Sequence, residues 1–202
     1  MSKNKIQRDD VACFQDYDVH IPTRTLYMGS IYSDSYEGDS GVDAHMAERV
    51  IKGLHILESV GENGDKPITI IMNNPGGDWY HGMAIYNAIK ACKNHITIIV
   101  YGHAMSMGSI ILQAADERVM TEDASLMIHY GQDGFYGHAK TFEKWAEQGK
   151  KLIERMEGIY MEKIREINPK YRHAALRKLL DYDTFLDAKE TLKLGLCDRI
   201  LE

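Results

Sequence analysis

The chain has 202 residues, 44% of them hydrophobic, and a formal net charge of -6 from 24 basic and 30 acidic residues. This length suits one α/β domain with a sizeable core, and the acidic balance without a basic stripe argues against a nucleic-acid-binding protein. No apolar run approaches the ~18 residues of a membrane-spanning helix, and the three cysteines lie too far apart to indicate a disulfide framework or a zinc site.

The N-terminal segment, residues 1–24, is mixed and weakly patterned, so we expect a flexible or partner-ordered arm. It is polar and lacks the apolar core of a signal peptide. Together with the widely spaced cysteines, this favours a cytoplasmic location. One domain is expected over residues 25–202, beginning with a short strand at 25–28 and an exposed, Ser- and Gly-rich loop at 33–40.

Strand-like and helix-like segments then alternate, which predicts a mostly parallel sheet with crossover helices. Ligands of such sheets bind at the carboxyl ends of the strands, where two Gly-rich turns fall here, at 73–77 and 102–108. The expected elements are helices at 42–59, 78–91 and 110–115, a polar turn at 61–66 and buried strands at 68–72 and 96–100.

The second half of the chain is dominated by one long amphipathic helix at 139–167, which Asn168-Pro169 ends. Its apolar stripe suits contact with another subunit and burial on the chain's own sheet equally well. The remaining expectations are short strands at 118–120 and 125–128, a glycine-spaced extended stretch at 130–137, helices at 174–180 and 188–194, and a turn at 181–184.

Ser106 lies where a strand turns into a helix, a position that suits two roles. It is either an N-cap or a nucleophile beside free helix N–H groups. A nucleophilic serine needs a base, and of the nine histidines His129 stands out because it ends an apolar strand. The third group is left open among Asp181, Asp183 and Asp187. No pair of histidines has helical metal-ligand spacing, so we expect no metal site.

Four motifs in order resemble the family of Clp protease proteolytic subunits. They are Asn73-Asn-Pro-Gly-Gly77, Gly102-His-Ala-Met-Ser-Met-Gly-Ser109, Met127-Ile-His129 and Asp183-Thr-Phe-Leu-Asp-Ala188, with Gly195-Leu-Cys-Asp198 after them. The resemblance covers the chain from about Leu26 to the C-terminus. It implies that Ser106 is the nucleophile of a serine endopeptidase, His129 its general base and Asp183 the residue that orients the base.

The resemblance also implies the other parts of the site. The oxyanion-hole N–H groups fall on Gly77 and Met107. The substrate-binding positions fall on Gly76, Gly77, Asp78, Tyr130 and Gly131.

The fold implied by the resemblance is the crotonase-like ββα superhelix, with residues 130–167 as a handle. Members assemble into heptameric rings, two of which form a 14-mer that encloses a chamber for unfolded polypeptides. A Clp-type AAA+ ATPase feeds the chamber and consumes the ATP, so no cofactor is expected on this chain.

Several positions depart from the family pattern. Tyr130-Gly131 follows the histidine where Gln-Pro is usual, and Tyr182 and Thr184 flank the aspartate where an arginine is common. Three alternatives stand beside the ATPase-coupled protease: an ATPase-independent, phage-type relative, an acyl-CoA-processing enzyme of the same superfold, and a catalytically dead ring subunit. The intact Ser-His-Asp set speaks against the last.

Overall fold

The computed structural model describes residues 8–29, 41–60, 66–132, 134 and 137–201. The predicted loop at 33–40 and all but the last residue of the predicted turn at 61–66 lie outside these ranges. In chain order the elements are α1 (Arg8–Tyr17), β1 (Val19–His20), β2 (Thr25–Met28), α2 (Ala44–Ser59), β3 (Ile68–Asn74), α3 (Trp79–Ala91), β4 (Ile96–Met105), α4 (Met107–Leu112), β5 (Glu117–Thr121), β6 (Ser125–Ile128), α5 (Ala139–Ile167), α6 (His173–Leu180), β7 (Thr184–Asp187), α7 (Ala188–Leu194) and β8 (Arg199–Leu201).

The sheet runs in the order β1-β2-β3-β4-β5-β8, and all its pairs except β1–β2 are parallel. The end of β4 diverges from β5 and pairs in parallel with β6, which in turn pairs antiparallel with β7. The expected α/β class with a mostly parallel sheet is confirmed, and the arrangement agrees with the ββα superhelix that the resemblance implies.

The core forms because β3 and β4 alternate buried and partly exposed residues along their length. Ile70 of β3 and Ile98 of β4 are fully buried partners in the parallel register. The apolar face of α2, which includes Val50 and Leu57, belongs to the same core cluster. Burial of an aliphatic side chain of this kind contributes about 1.5–3 kcal/mol.

The long helix α5 has the bounds that the sequence predicted, and its apolar stripe divides into two parts. The C-terminal half buries Met156, Ile159 and Ile164 in the chain's own core. The N-terminal half leaves Phe142 59% and Trp145 48% exposed. Burial in the chain's own core therefore describes the C-terminal half of the stripe, and the N-terminal half is left available for contact with another subunit.

The start of the chain contains more structure than the weak pattern of residues 1–24 predicted. Helix α1 has no fully buried residue, and its Cys13 packs partly buried against the core. Val19 of β1 is buried and pairs with Leu26 of β2. The guanidinium of Arg24 donates to the carbonyl oxygens of Leu57 and Lys66, which fixes this segment to the domain.

Further differences concern short elements. The strands β7 and β8 were not predicted, and Thr184 begins β7 instead of ending a turn. The stretch at 130–137 has no regular strand among its described residues. None of the helices in the described parts of the chain is both long enough and apolar enough to cross a bilayer.

Candidate active site

Ser106 is the single residue between β4 and α4, and it lies near the centre of the motif at 102–109. Strand β4 continues through the predicted Gly-rich turn to Met105, and α4 begins directly at Met107, earlier than the predicted helix at 110–115. The Ser106 backbone has φ 50° and ψ -121°, a conformation that residues other than glycine rarely adopt. Ser106 occupies the N-cap position, but its side chain makes no capping hydrogen bond.

The Ser106 hydroxyl instead faces a histidine. Nε2 of His129 lies 2.8 Å from Oγ of Ser106, and Nδ1 of His129 lies 2.7 Å from Oδ1 of Asp183. The three side chains thus form a continuous hydrogen-bonded chain. It can move a proton from the serine hydroxyl to the imidazole while the carboxylate holds the ring.

Strand pairing brings these three residues together. Met105 pairs with Met127 in parallel strands, and the Ser106 N–H donates to the Met127 carbonyl oxygen at 2.9 Å. In the antiparallel pair of β6 and β7, Ile128 lies opposite Thr184. His129 and Asp183, one residue beyond each, therefore meet at the same end of the two strands.

The other two aspartates considered for the third position lie at helix ends. Asp187 caps α7 in a capping box, accepting from the Glu190 N–H at 2.7 Å while the Glu190 carboxylate accepts from the Asp187 N–H. Asp181 is the C-cap residue of α6. Of the three, Asp183 is the one that reaches His129.

The turn after β3 places a glycine pair against Ser106. The side chain of Asn74, which is fully buried, accepts a hydrogen bond from the Gly76 N–H at 2.9 Å and shapes this turn. Gly76 has φ 97°, and a Cβ there would lie 2.6 Å from the Ser106 Cβ. Only glycine allows this approach. No role was predicted for Asn74, although a polar residue at the end of an apolar strand is visible in the sequence.

Gly77 pairs with Val42 in a short parallel bridge. The Val42 N–H donates to the Gly76 carbonyl oxygen, and the Asp78 N–H donates to the Val42 carbonyl oxygen. The Gly76 carbonyl and the Gly77 N–H belong to one peptide unit, and in a planar trans peptide these two bonds point in opposite directions, so the N–H of Gly77 points away from Val42. Met107 is the first residue of α4, so its N–H has no acceptor within the helix.

A cleft of about 740 Å³ runs beside Ser106 and His129, and Gly77 and Met107 border it. Of the other predicted substrate-binding residues, Asp78, Tyr130 and Gly131 line the cleft. Gly76 does not line it, since it packs behind the Ser106 backbone. The Asp78 carboxylate caps α3 by accepting from the His81 N–H. The remaining lining is largely apolar and includes Trp79, Trp145, Ile110, Leu152 and Met156.

Tyr130 links the cleft to a buried charge on α5. Its hydroxyl donates to Oε1 of Glu157 at 2.9 Å, and Arg177 binds both oxygens of the same carboxylate. Burial by itself would raise the pKa of Glu157, but the hydrogen bonds from Arg177 and Tyr130 outweigh it and lower that pKa. Burial, together with the Glu157 carboxylate, raises the pKa of Tyr130 to about 12, so its hydroxyl stays protonated.

No group of three or more His, Cys, Asp or Glu side chains that could hold a metal ion occurs within the described ranges. His103, the histidine nearest Ser106 in sequence, lies within β4 opposite Ser125. Its backbone N–H donates to Oδ1 of Asn73.

The chain is similar to known proteins over most of its length. The family model described as Clp protease matches residues 37–202. The ATP-dependent Clp protease proteolytic subunit of Deinococcus radiodurans is 33% identical to the chain over 168 residues. That similarity covers 80% of this chain and 76% of the Deinococcus protein.

Proposed function

The chain belongs to the Clp protease family and is a serine endopeptidase, and on that premise we propose that Ser106, His129 and Asp183 are its catalytic triad. The observation that carries this proposal is the hydrogen-bonded chain from the Ser106 hydroxyl through the His129 imidazole to the Asp183 carboxylate, with distances of 2.8 and 2.7 Å. A complete triad also argues against a catalytically dead ring subunit, and the family assignment argues against an acyl-CoA-processing enzyme.

In the acylation step, Nε2 of His129 accepts the Ser106 proton as Oγ attacks the scissile carbonyl carbon of a peptide. Asp183 accepts a hydrogen bond from Nδ1 and stabilises the imidazolium that forms. When the tetrahedral intermediate collapses, the C–N bond breaks and His129 gives its proton to the leaving amine. Water then attacks the Ser106 ester by the same route, which releases the acid product and restores the hydroxyl.

We assign the oxyanion hole to the N–H groups of Gly77 and Met107. The Gly77 N–H points away from Val42, and the Met107 N–H is a helix N-terminal donor with no acceptor inside the helix. Both residues border the cleft beside Ser106. Preorganised donors of this kind stabilise the charge that develops on the carbonyl oxygen, and losing one typically costs about 10²–10³ in kcat.

The substrate is an extended polypeptide that lies along the cleft between the turn at Gly77–Asp78 and the segment at Tyr130–Gly131. The support is that Gly77, Asp78, Tyr130 and Gly131 all line the cleft beside Ser106 and His129. An extended, unfolded chain fits such a groove because its backbone groups are free to bond on either side. The apolar lining favours bulky apolar side chains next to the cut bond.

We further propose that the chain assembles into heptameric rings, stacked in pairs as a 14-mer. The start of α5, where Phe142 and Trp145 are about half exposed, supports an intersubunit contact, because neighbouring exposed aromatic side chains mark interaction surfaces. Because the rings would enclose the active sites in a chamber, cleavage would be restricted to polypeptides threaded into that chamber.

An AAA+ ATPase partner of the Clp type is proposed because the Deinococcus relative is described as ATP-dependent. A cytoplasmic location is proposed because all three cysteines are free thiols in the structure.

The proposal is tested with a fluorophosphonate probe and a fluorogenic peptide on the purified protein. The probe is expected to abolish peptide hydrolysis and to modify Ser106, located by mass mapping of the digested protein. Modification of a different serine in step with the loss of activity would refute the assignment. Adding a Clp-type AAA+ unfoldase with ATP is expected to enable degradation of a folded substrate, while a nucleotide-free mixture leaves it intact.

A further inference from the structure

A chain of two hydroxyl groups runs behind the nucleophile, on the side away from the cleft. Oγ of Ser109 lies 2.6 Å from the Ser106 carbonyl oxygen and 2.7 Å from the hydroxyl oxygen of Tyr160 on α5. A carbonyl oxygen only accepts, so the Ser109 hydroxyl donates to Ser106. Its single proton is then used, and the Tyr160 hydroxyl donates to Ser109.

This arrangement controls the direction of one peptide plane. The Ser106 carbonyl also accepts from the Ser109 N–H at 3.0 Å, so two donors hold it towards the interior. The same peptide unit carries the Met107 N–H. In a planar trans peptide the C=O and N–H bonds point in opposite directions, so holding the carbonyl inward turns that N–H outward, to the cleft that Met107 borders.

The plane needs holding because Ser106 has an unfavourable backbone conformation, with φ 50°. A strained residue keeps its geometry only where surrounding contacts enforce it. Ser109 and Tyr160 are both fully buried among apolar neighbours, where a hydroxyl is costly unless it is hydrogen-bonded. Burial raises the pKa of Tyr160 well above its ordinary value, so its hydroxyl remains a donor throughout the working pH range.

We propose that Ser109 and Tyr160 are positioning residues for the oxyanion hole, acting in series through the Ser106 carbonyl. The inference rests on the proposed function, since it concerns the N–H of Met107. Neither residue was assigned a role from the sequence. The available signal was a serine three residues after the nucleophile, inside an otherwise apolar helix.

The test compares Ser109→Ala, Tyr160→Phe and the double variant with the wild type on a fluorogenic peptide. Ser109→Ala is expected to lower kcat about tenfold with KM nearly unchanged, less than complete loss of an oxyanion donor would cost. Tyr160→Phe keeps the ring and is expected to lower kcat by a smaller factor. Because the two hydroxyls act in series, the double variant is expected to match Ser109→Ala.

A peptide boronate supplies a readout that a purely structural role would not move. Its tetrahedral adduct with Ser106 places an oxygen in the oxyanion hole, so its inhibition constant is expected to rise in proportion to the loss of kcat. The matched control is Thr191→Val, which removes another buried hydroxyl that donates to a backbone carbonyl, at 2.7 Å, away from the cleft. This control is expected to keep wild-type kcat and boronate affinity.

The outcomes separate the inference from the proposed function. If Ser106→Ala is inactive while Tyr160→Phe and Ser109→Ala keep wild-type kcat and boronate affinity, the positioning role is refuted and the triad stands. If Ser106→Ala retains activity, the proposed function itself fails. Should Ser109→Ala not fold, Tyr160→Phe alone decides, with wild-type assembly verified by native mass spectrometry.

Discussion

Nε2 of His129 lies 2.8 Å from Oγ of Ser106, although 23 positions separate the two residues in the sequence. The contact exists because Met105 and Met127 are partners in neighbouring parallel strands, and each functional residue follows its strand. Asp183 joins them through the antiparallel register of β6 and β7. The site therefore depends on strand pairing, and substitutions that shift these strand ends should affect activity more than stability.

Replacing Gly77 by alanine is expected to lower kcat by about 10²-fold or more, because it displaces a proposed oxyanion donor. Gly77 has φ 144°, and a Cβ there would lie 2.4 Å from the Val42 carbonyl oxygen and 2.6 Å from its nitrogen. These are backbone atoms, so the turn itself must move. The measurement is steady-state hydrolysis of a fluorogenic peptide.

The matched control is Gly158→Ala on α5, where an added Cβ meets no atom of the described residues within 4 Å. This change is expected to leave kcat unchanged and to stabilise the helix by about 1 kcal/mol. Equal kcat values for the two alanine variants would contradict the role given to Gly77.

Replacing Phe142 and Trp145 together by aspartate is expected to break the assembly without unfolding the subunit. Both side chains are about half exposed in the single chain, so the change costs little in the isolated fold. At a subunit contact it would bury charges, at a cost of several kcal/mol per subunit. Native mass spectrometry is expected to show rings for the wild type and small species for the variant, with unchanged circular dichroism.

Ile167→Asp serves as the control for this experiment, since Ile167 is 67% exposed at the opposite end of the same helix. It is expected to keep the wild-type mass. A wild type that is monomeric and fully active would rule out ring assembly and indicate a free-standing serine hydrolase.

Glu157 makes the folded protein less stable as the pH becomes acidic. Although burial opposes it, the hydrogen bonds from Arg177 and Tyr130 lower the pKa of Glu157 in the folded state below the ordinary value of about 4.5. A lowered folded-state pKa means that the contribution to stability is present above the unfolded-state value and is lost as pH falls through the folded-state one. We expect Glu157→Gln to lower the melting temperature at pH 7 and to flatten its fall as the pH drops below about 4.5.

Glu162→Gln provides the comparison, because Glu162 is an exposed residue of the same helix. Its melting curves are expected to follow those of the wild type at every pH. A steep acid-dependent fall that persists unchanged in Glu157→Gln would show that other carboxylates are responsible.

The elements that the sequence predicted best are those with a local apolar pattern. The buried runs of β3 and β4 and the stripe of α5 are visible in residue order alone, and Asn168-Pro169 marks the end of α5. Strands β7 and β8 are short and exist through pairing with β6 and β5, which no local pattern encodes. Helix α1 has no buried residue, so periodicity gave no sign of it.

In the candidate site, too, the residues placed by a local pattern could be predicted and those placed by long-range pairing could not. The strand-to-helix position of Ser106 and the strand-end position of His129 follow from local pattern, but the choice of Asp183 over Asp181 and Asp187 came only from family resemblance. The physical reason for that choice is the pairing of Ile128 with Thr184, a contact between segments distant in the chain. The link between Ser109 and Tyr160 is equally non-local, since 51 positions separate them.

The central claim is that Ser106 is the nucleophile activated by His129, and Ser106→Ala tests it most directly. The substitution removes only a hydroxyl, so the variant is expected to assemble and melt like the wild type. Removing a triad member typically costs several orders of magnitude in rate, so peptide hydrolysis should fall by at least about 10³-fold. Hydrolysis at a wild-type rate by the purified, assembled variant would contradict the account.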